Sequence, residues 1–139
     1  MKNSGTLIAT IFFLLLIFSC TTKPSEMIIG EWKVADIAFS TEISDELKQA
    51  QQESLNIMKS SSSLVIKADG TYKYTISEES TEGKWALSSD DETLTLTYPD
   101  GQQEVSKIVE LTEEKLVTST MINEIENTIT FQKQSENKK

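Results

Sequence analysis

Short runs in which apolar and polar residues alternate are the feature that most limits what this chain can fold into. Tyr72, Tyr74 and Ile76 alternate with threonine and lysine, and residues 93–98 repeat the pattern with leucine, tyrosine and threonine. Successive side chains of a strand point to opposite faces of a sheet, so each run has one apolar face and one polar face. The pattern therefore predicts half-buried strands through most of the sequence.

Eight such strands follow one another at close spacing, and turn-forming residues separate them. Eight consecutive antiparallel strands with one apolar face form either an open meander or a closed up-and-down barrel. A closed barrel leaves no strand edge unpaired, so we predict an all-β fold, an eight-stranded antiparallel up-and-down barrel. The predicted strands span residues 28–39, 63–67, 71–77, 82–87, 93–98, 104–110, 115–121 and 125–133.

Local sequence signals predict two turns and one irregularity in this barrel. Asp69 and Gly70 lie between the second and third strands, and both residue types tolerate the left-handed dihedral angles of a type I′ turn. The Pro-Asp-Gly segment at residues 99–101 predicts another turn, because proline presets φ and glycine supplies a positive φ. In the first strand the apolar residues change phase near residues 35–36, which predicts a β-bulge.

Residues 41–59 have a different period, which predicts one amphipathic helix between strands 1 and 2. One side of this helix would carry Ile43, Leu47, Ala50, Ser54 and Met58. The apolar stripe is modest, and the polar side lacks the basic rim of a helix that lies on a membrane surface. We therefore expect the helix to pack on its own domain rather than on a membrane or on a partner.

The composition excludes several classes of function. The sequence has 22 acidic residues against 13 basic ones, all of them lysine, so its net charge of −9 would repel a nucleic-acid backbone. It has no histidine and only one cysteine, which rules out Ser-His-Asp and Cys-His catalytic sites and zinc sites with nitrogen or sulfur ligands. Acidic residues cluster at predicted turns without the spacing of a calcium loop. We predict no enzymatic activity, no metal, no cofactor and no nucleic-acid partner.

The single cysteine, Cys20, ends an apolar run that spans residues 7–18 and follows a short stretch containing Lys2. A helix that crosses a bilayer needs about 20 apolar residues, and this run is shorter. Residues 17–20 are similar to a lipobox, so we predict a lipoprotein signal peptide over residues 1–19 and a lipid on Cys20. An ordinary secretory signal and an uncleaved anchor are the alternatives.

The rest of the chain divides into three predicted segments. Residues 20–26 are short and polar and include Pro24, which opposes helix, so they are predicted to form a lipidated tether. Residues 27–133 are enough for one barrel domain and too few for two ordinary domains. Residues 134–139 contain no apolar side chain and are predicted to be a disordered tail.

Three short motifs at the strand ends and turns resemble those of a known family. The sequence is similar to the lipocalin-like domain of small Gram-negative envelope lipoproteins over about residues 27–133. The matching motifs are Gly30-Glu31-Trp32, Asp69-Gly70-Thr71-Tyr72 and Gly83-Lys84-Trp85.

The resemblance implies a lipocalin-like barrel in which Gly30, Trp32 and Gly83 have structural roles. In lipocalins the tryptophan of the first motif closes one end of the barrel, and an arginine of the last strand packs over it. This chain has no arginine, and Lys133 is the basic residue that could partly replace it.

The inner face of the predicted barrel is rich in aromatic residues, which could hold a small apolar or planar ligand. The candidate ligand-binding residues are Tyr72, Tyr74, Trp85, Tyr98 and Phe131. Eight strands enclose a space that side chains nearly fill, so we expect a mostly filled barrel with a small cavity at one end. For Trp85, as for Trp32, we favour packing in the core over ligand contact, because tryptophan needs a large buried area.

Two functions from different classes follow from these features. The first is a lipid-anchored envelope lipoprotein whose barrel binds a small hydrophobic ligand. The second is a non-enzymatic module that binds another envelope protein, with a filled barrel as its scaffold. In both cases the lipid attaches the protein to a membrane, and we expect an outer-membrane lipoprotein that faces the periplasm or the cell surface.

Overall fold

A computed structural model of the protein describes residues 22–41 and 45–135. Within these residues two helices and eight strands follow the chain in a simple order. The helices are α1 (Pro24–Met27) and α2 (Asp45–Ser61). The strands are β1 (Gly30–Phe39), β2 (Ser62–Ile66), β3 (Thr71–Ile76), β4 (Glu79–Leu87), β5 (Thr93–Thr97), β6 (Gln103–Leu111), β7 (Lys115–Ile122) and β8 (Ile125–Lys133).

Each strand pairs antiparallel with the next along the chain, and β8 pairs with β1 to close a barrel. The prediction of an eight-stranded antiparallel up-and-down barrel with one helix between strands 1 and 2 is confirmed. The largest difference in strand bounds is at β4, which begins at Glu79 rather than at residue 82. Residues 79–81 are all polar, so no apolar alternation marks them in the sequence.

A bulge in β1 lets both halves of this strand face the interior. The register of β1 against β8 shifts between Val34 and Asp36, as the change of phase in the sequence predicts. Trp32 and Ile37 therefore both pack into the core, although they are five positions apart and a regular strand would point them to opposite faces. A second shift, between residues 108 and 110 of β6, was not predicted.

The turn at Asp69 and Gly70 differs from its prediction. The Gly70 N–H donates to the Lys67 carbonyl at 3.2 Å, and Asp69 does not have a positive φ, so the prediction of a type I′ turn is wrong. Asp69 instead accepts hydrogen bonds from the N–H and the hydroxyl of Thr71. The tight turn in which both residues have a positive φ is at residues 123–124, between β7 and β8.

The predicted turn at residues 99–101 is present. The Gly101 N–H donates to the Tyr98 carbonyl at 3.0 Å, and Gly101 has a φ of 86°. Asp100 accepts a hydrogen bond from the N–H of Gln102 at 2.9 Å. Proline at the second position of this turn fits, because its fixed φ suits that position.

Pro24 begins a short helix, contrary to the expectation that it opposes one. Proline lacks an N–H and has a fixed φ, so it is tolerated at the first helical position, where the N–H would have no helical partner. The prediction treated Pro24 as if it stood inside a helix. α1 leads directly to Ile28, which is fully buried.

α2 contacts β1 and β3, as expected of a helix that packs on its own domain. The half-buried side chains among its described residues are Gln51, Leu55, Met58, Lys59 and Ser61. Ala50 and Ser54 are exposed, so the predicted stripe is out of phase at these two positions. Small side chains gain little from burial, and the helix instead turns the larger Leu55 toward the barrel. Ile43 and the side chain of Leu47 lie outside the described part.

The core fills the barrel from the inner face of every strand. The buried apolar residues of its central cluster are Ile28, Trp32, Val34, Leu64, Ile66, Tyr72, Leu94, Leu116 and Phe131. Two residues assigned to the inner face from alternation, Phe39 and Ile76, are 44% and 42% exposed. Each is the last residue of its strand, where the barrel opens and the next layer of side chains is missing.

Several sequence predictions concern residues that the structure does not describe. Cys20, the predicted signal peptide at residues 1–19 and residues 136–139 of the predicted tail lie outside the described ranges. Neither α1 nor the described part of α2 is long and apolar enough to cross a bilayer.

Candidate ligand-binding site

The barrel has two ends with different structures. In an up-and-down barrel, alternate connections lie at opposite ends. The closed end, as we name it, holds α1, the end of β8 and the connections at residues 67–70, 88–92 and 112–114. The open end holds α2 and the connections at residues 77–78, 98–102 and 123–124. The hydroxyl of Thr22 donates to Glu113 at 3.0 Å, which fixes the start of the described chain at the closed end.

Trp32 fills the closed end and has no exposed surface. Its indole N–H donates to the Ile28 carbonyl at 2.8 Å. The ammonium of Lys133 lies 4.9 Å from the centroid of the Trp32 ring and donates to the Met27 carbonyl at 2.7 Å. Burial lowers the pKa of Lys133, and the carboxylate of Glu113 acts in the opposite direction. Lys133 thus occupies the place that the resemblance assigned to an arginine.

Gly30 and Gly83 are sites of close approach between chain segments. A Cβ atom on Gly30, which has a φ of 147°, would lie 2.4 Å from Cε of Lys133. A Cβ atom on Gly83 would lie 2.1 Å from the carbonyl oxygen of Thr97 and 2.8 Å from the ring of Tyr72. Each glycine therefore leaves room for a side chain that belongs either to the closed end or to the interior.

Between Trp32 and the open end the barrel encloses a cavity of about 220 Å³. Its apolar lining residues come from four strands, and an equal number of residues with polar groups, three of them tyrosines, faces the same space. The apolar lining residues are Leu64, Leu94, Leu96, Ile122, Ile129 and Phe131. The polar lining residues are Tyr72, Tyr74, Tyr98, Glu104, Ser106 and Thr118. This is the composition of a small-molecule site, with a mainly apolar wall and a few convergent polar groups.

Four of the five candidate ligand-binding residues line this cavity: Tyr72, Tyr74, Tyr98 and Phe131. Trp85 does not line it. Its indole N–H donates to the Lys67 carbonyl at 2.8 Å, and its side chain packs against the core. The structure thus places Trp85 in the packing role, and ligand contact by the other four stays a prediction.

Three polar lining residues were not predicted: Glu104, Ser106 and Thr118. Glu104 and Ser106 are in phase with Ile108, which packs against the core, so the alternation in β6 places them on the inner face. That signal was available in the sequence. In β7, residues 116–119 are all buried, so alternation does not identify the inward position of Thr118.

The tyrosines form a connected group around one carboxylate. The hydroxyl of Tyr98 donates to Oε2 of Glu104 at 2.7 Å, and the Tyr72 and Tyr98 rings pack edge to face with centroids 6.4 Å apart. Burial, together with the hydrogen bond to Glu104, raises the pKa of Tyr98 far above its usual range. Burial and the charge of Glu104 also raise the pKa of Tyr72 and of Tyr74. All three hydroxyls therefore stay protonated near neutral pH and can donate hydrogen bonds.

The hydroxyl of Tyr72 has no hydrogen-bond partner although the residue is only 1% exposed. Among the side chains that the structure describes, at residues 22–41 and 48–135, it is the only buried polar atom in this situation. Leaving such a group unsatisfied costs about 1–3 kcal/mol. A polar group of a ligand bound beside it would recover part of this cost.

A second space of about 300 Å³ lies between α2 and the end of β1. Ile37, Phe39, Leu55 and Met58 supply its apolar wall. It belongs to the open end and explains why Phe39 is only half covered. No group of three or more acidic or cysteine side chains in the described ranges is arranged to hold a metal ion.

Comparison with known proteins gives one family and several similar folds. A model of the lipocalin-like domain family matches residues 28–118. The structure is similar to that of a DUF4847 family protein from Bacteroides vulgatus, with a TM-score of 0.54, 16% sequence identity and coverage of 76% of this chain and 94% of that chain. The bovine odorant binding protein in complex with undecanal is similar with a TM-score of 0.48 and 18% identity, over 84% of this chain and 77% of that chain. No curated protein matches the sequence.

Proposed function

Because the chain belongs to the lipocalin-like domain family, we propose that its barrel binds a small hydrophobic molecule that carries a hydrogen-bonding group. One observation carries the proposal: an apolar cavity of about 220 Å³ contains a tyrosine, Tyr72, whose buried hydroxyl has no partner. Burial of ligand surface against the apolar wall supplies affinity at about 25 cal/mol per Å². The hydroxyl supplies orientation and specificity.

The size of the cavity limits the ligand. An apolar cavity of about 150 Å³ is enough for benzene, and sites for drug-sized ligands begin at about 300 Å³. A cavity of about 220 Å³ therefore fits one ring with a short substituent or a short aliphatic chain. A long-chain lipid would need the cavity to extend into the second space beside α2.

We propose that the protein binds its ligand without catalysing a reaction. The lipocalin-like fold is typically a binding scaffold. The cavity lining includes one carboxylate, from Glu104, and no nucleophile paired with a base. The sequence features at residues 1–20 support an envelope lipoprotein with a lipid on Cys20, at the outer membrane and facing the periplasm or the cell surface.

The binding proposal is tested by titrating the isotope-labelled protein with benzyl alcohol and following its NMR spectrum. Saturable shifts are expected at residues that line the cavity, such as Leu94 and Phe131. Tyr72→Phe should weaken binding about tenfold, because a hydrogen bond contributes about 1 kcal/mol or slightly more. Trp85→Phe is the matched control and should leave the affinity unchanged, because Trp85 lies outside the cavity. Absence of saturable binding for benzyl alcohol and for short aliphatic alcohols would refute the proposal.

A second candidate function is a module that binds another envelope protein. Three large apolar side chains on the neighbouring strands β6 and β7 favour it: Val105, Val109 and Met121 are 54%, 58% and 64% exposed. Affinity capture from envelope extracts tests this function. A stoichiometric partner that is lost in Met121→Glu but kept in Tyr72→Phe would support the interaction module, and recovery of no such partner would count against it.

A further inference from the structure

We propose that the cavity selects hydrophobic amines and discriminates against hydrophobic carboxylates. This inference rests on the proposed function and adds the chemical class of the ligand. Its basis is the position of a single acidic side chain, Glu104, among the residues that line the cavity.

Among the described residues that line the cavity, Glu104 is the only one that carries a charge, and none of them is a lysine. The side chain is half-buried. In the described part of the chain, no lysine lies within 4.0 Å of its carboxylate. The cavity therefore contains one negative charge that the surrounding protein does not pair with a cation. A partly desolvated charge of this kind favours an ion of the opposite sign beside it.

The hydrogen bonds of Glu104 leave one carboxylate oxygen for a ligand. Oε2 accepts the hydroxyl of Tyr98 at 2.7 Å, which holds the carboxylate in place. None of the residues described in the structure donates a side-chain hydrogen bond to Oε1. An ammonium group needs acceptors of this type, and a charge-assisted hydrogen bond is about twice as strong as a neutral one.

The aromatic residues that line the cavity with Glu104 also favour a cationic ligand. Tyr72, Tyr74 and Tyr98 line the cavity together with Glu104. The faces of aromatic rings carry negative electrostatic potential and attract cations. The hydroxyl of Tyr72, which has no protein partner, can accept a hydrogen bond from an ammonium group.

The same features disfavour a ligand that carries a carboxylate. It would place a second negative charge beside Glu104, with no lysine among the described lining residues to offset it. Burial raises the pKa of the Tyr72 hydroxyl, and the charges of Glu104 and Asp100 act in the same direction on this group of the cavity lining. Like charges at short distance disfavour each other strongly where solvent screening is weak.

The test compares three ligands of the same size by calorimetry and NMR on the folded protein: benzylamine, benzyl alcohol and benzoate. Benzylamine is expected to bind at least tenfold more tightly than benzoate at neutral pH. Glu104→Gln keeps an acceptor for the Tyr98 hydroxyl and removes the charge, so it should weaken benzylamine about tenfold. The same variant should change the affinity for benzyl alcohol less than the affinity for benzylamine, and it should strengthen the binding of benzoate.

A matched control separates the local charge from the net charge of the protein. Glu110 is on the same strand and pairs with Lys115 on the surface at 2.8 Å, so Glu110→Gln should leave the ratio of amine to carboxylate affinity unchanged. Equal binding of benzylamine and benzoate, or the same ratio in Glu104→Gln as in the wild type, would overturn the inference. In either case benzyl alcohol would still bind, and the proposed function would stand. Failure of all three ligands to bind would overturn both.

Discussion

The closed end of the barrel and the cavity differ in whether their buried polar groups have partners. At the closed end, the indole N–H of Trp32 and the ammonium of Lys133 each donate to a backbone carbonyl. In the cavity, the hydroxyl of Tyr72 is buried without a partner, and no lysine of the described residues pairs with the carboxylate of Glu104. The closed end therefore contributes stability, whereas the cavity gives up stability and keeps groups that a ligand can use.

The two ends of the barrel also differ in how far their apolar side chains are buried. Ile28 and Trp32 at the closed end have no exposed surface, whereas Phe39 and Ile122 at the open end are 44% and 55% exposed. One sheet thus supports a filled core at one end and an incomplete core at the other. Substitutions of similar size should therefore have different effects on stability at the two ends.

The largest expected effect is at the closed end. Trp32→Ala should lower the free energy of unfolding by about 3–5 kcal/mol, because it removes a fully buried side chain and leaves a cavity. Leu96→Ala, beside the existing cavity, should cost only about 2 kcal/mol, since Leu96 is half-buried. Urea unfolding measures both.

Trp32→Phe provides a milder comparison if Trp32→Ala does not fold. It keeps most of the apolar volume but removes the donor to the Ile28 carbonyl. A cost for the Trp32 variants no greater than that of Leu96→Ala would contradict the distinction between a filled end and an incomplete one.

A pair of glycines gives the next largest effect. Gly83→Ala should lower the free energy of unfolding by about 2–3 kcal/mol, because its Cβ would meet the backbone carbonyl of Thr97 and the ring of Tyr72. Gly101→Ala should cost only about 1–2 kcal/mol, because Gly101 has a positive φ but nothing within 4 Å of the added atom. Equal costs in urea unfolding would mean that close packing against Tyr72 is not what requires glycine at residue 83.

The smallest expected effect is on the pH dependence of stability. Burial raises the pKa of Tyr72, Tyr74 and Tyr98 above the ordinary value of 10.0, so the folded protein keeps protons that the unfolded chain loses. Their contribution is complete below about pH 10 and is lost as the pH rises through the folded-state values. Lys133 acts in the other direction, because its lowered pKa makes stability rise with pH below the ordinary lysine value.

Urea midpoints between pH 8 and pH 11 should therefore fall at the alkaline end, and Tyr98→Phe should make that fall shallower. Lys133→Met is the comparison at the closed end, and it should make the fall steeper by removing the opposing group. An unchanged slope in Tyr98→Phe would show that the tyrosines of the cavity do not control the alkaline transition.

Alternation predicted most of the fold because burial of one face sets the period of nearly every strand. Where that period is absent, the prediction missed the structure: residues 79–81 of β4 are polar throughout. Turn geometry was harder to predict, because Asp69 and Gly70 fit two kinds of turn. The register of β2 and β3 decides between them. The face of α2 that packs on the barrel depends on where the barrel surface lies. The sequence of the helix does not contain this information.

The candidate site was only partly predictable. Inward alternation placed Tyr72, Tyr98 and Phe131 around the cavity. Glu104 has the same inward phase in β6 but was not predicted, because only aromatic residues were considered as ligand contacts. Trp85 has the same inward phase and still lies outside the cavity, because its indole N–H is bonded to the turn before β3. Whether a cavity exists depends on how side-chain volumes add up around the barrel, and no local pattern encodes that sum.

The hydrogen bond between Thr22 and Glu113 determines how the barrel would be oriented on a surface. The chain enters at the base of a cup, and the rim with Tyr98 and Ile122 points the other way. Any attachment before Thr22, such as the lipid proposed on Cys20, would hold the cup by its base. Molecules arriving from the surrounding fluid could then reach the rim without first crossing the surface to which the protein is attached.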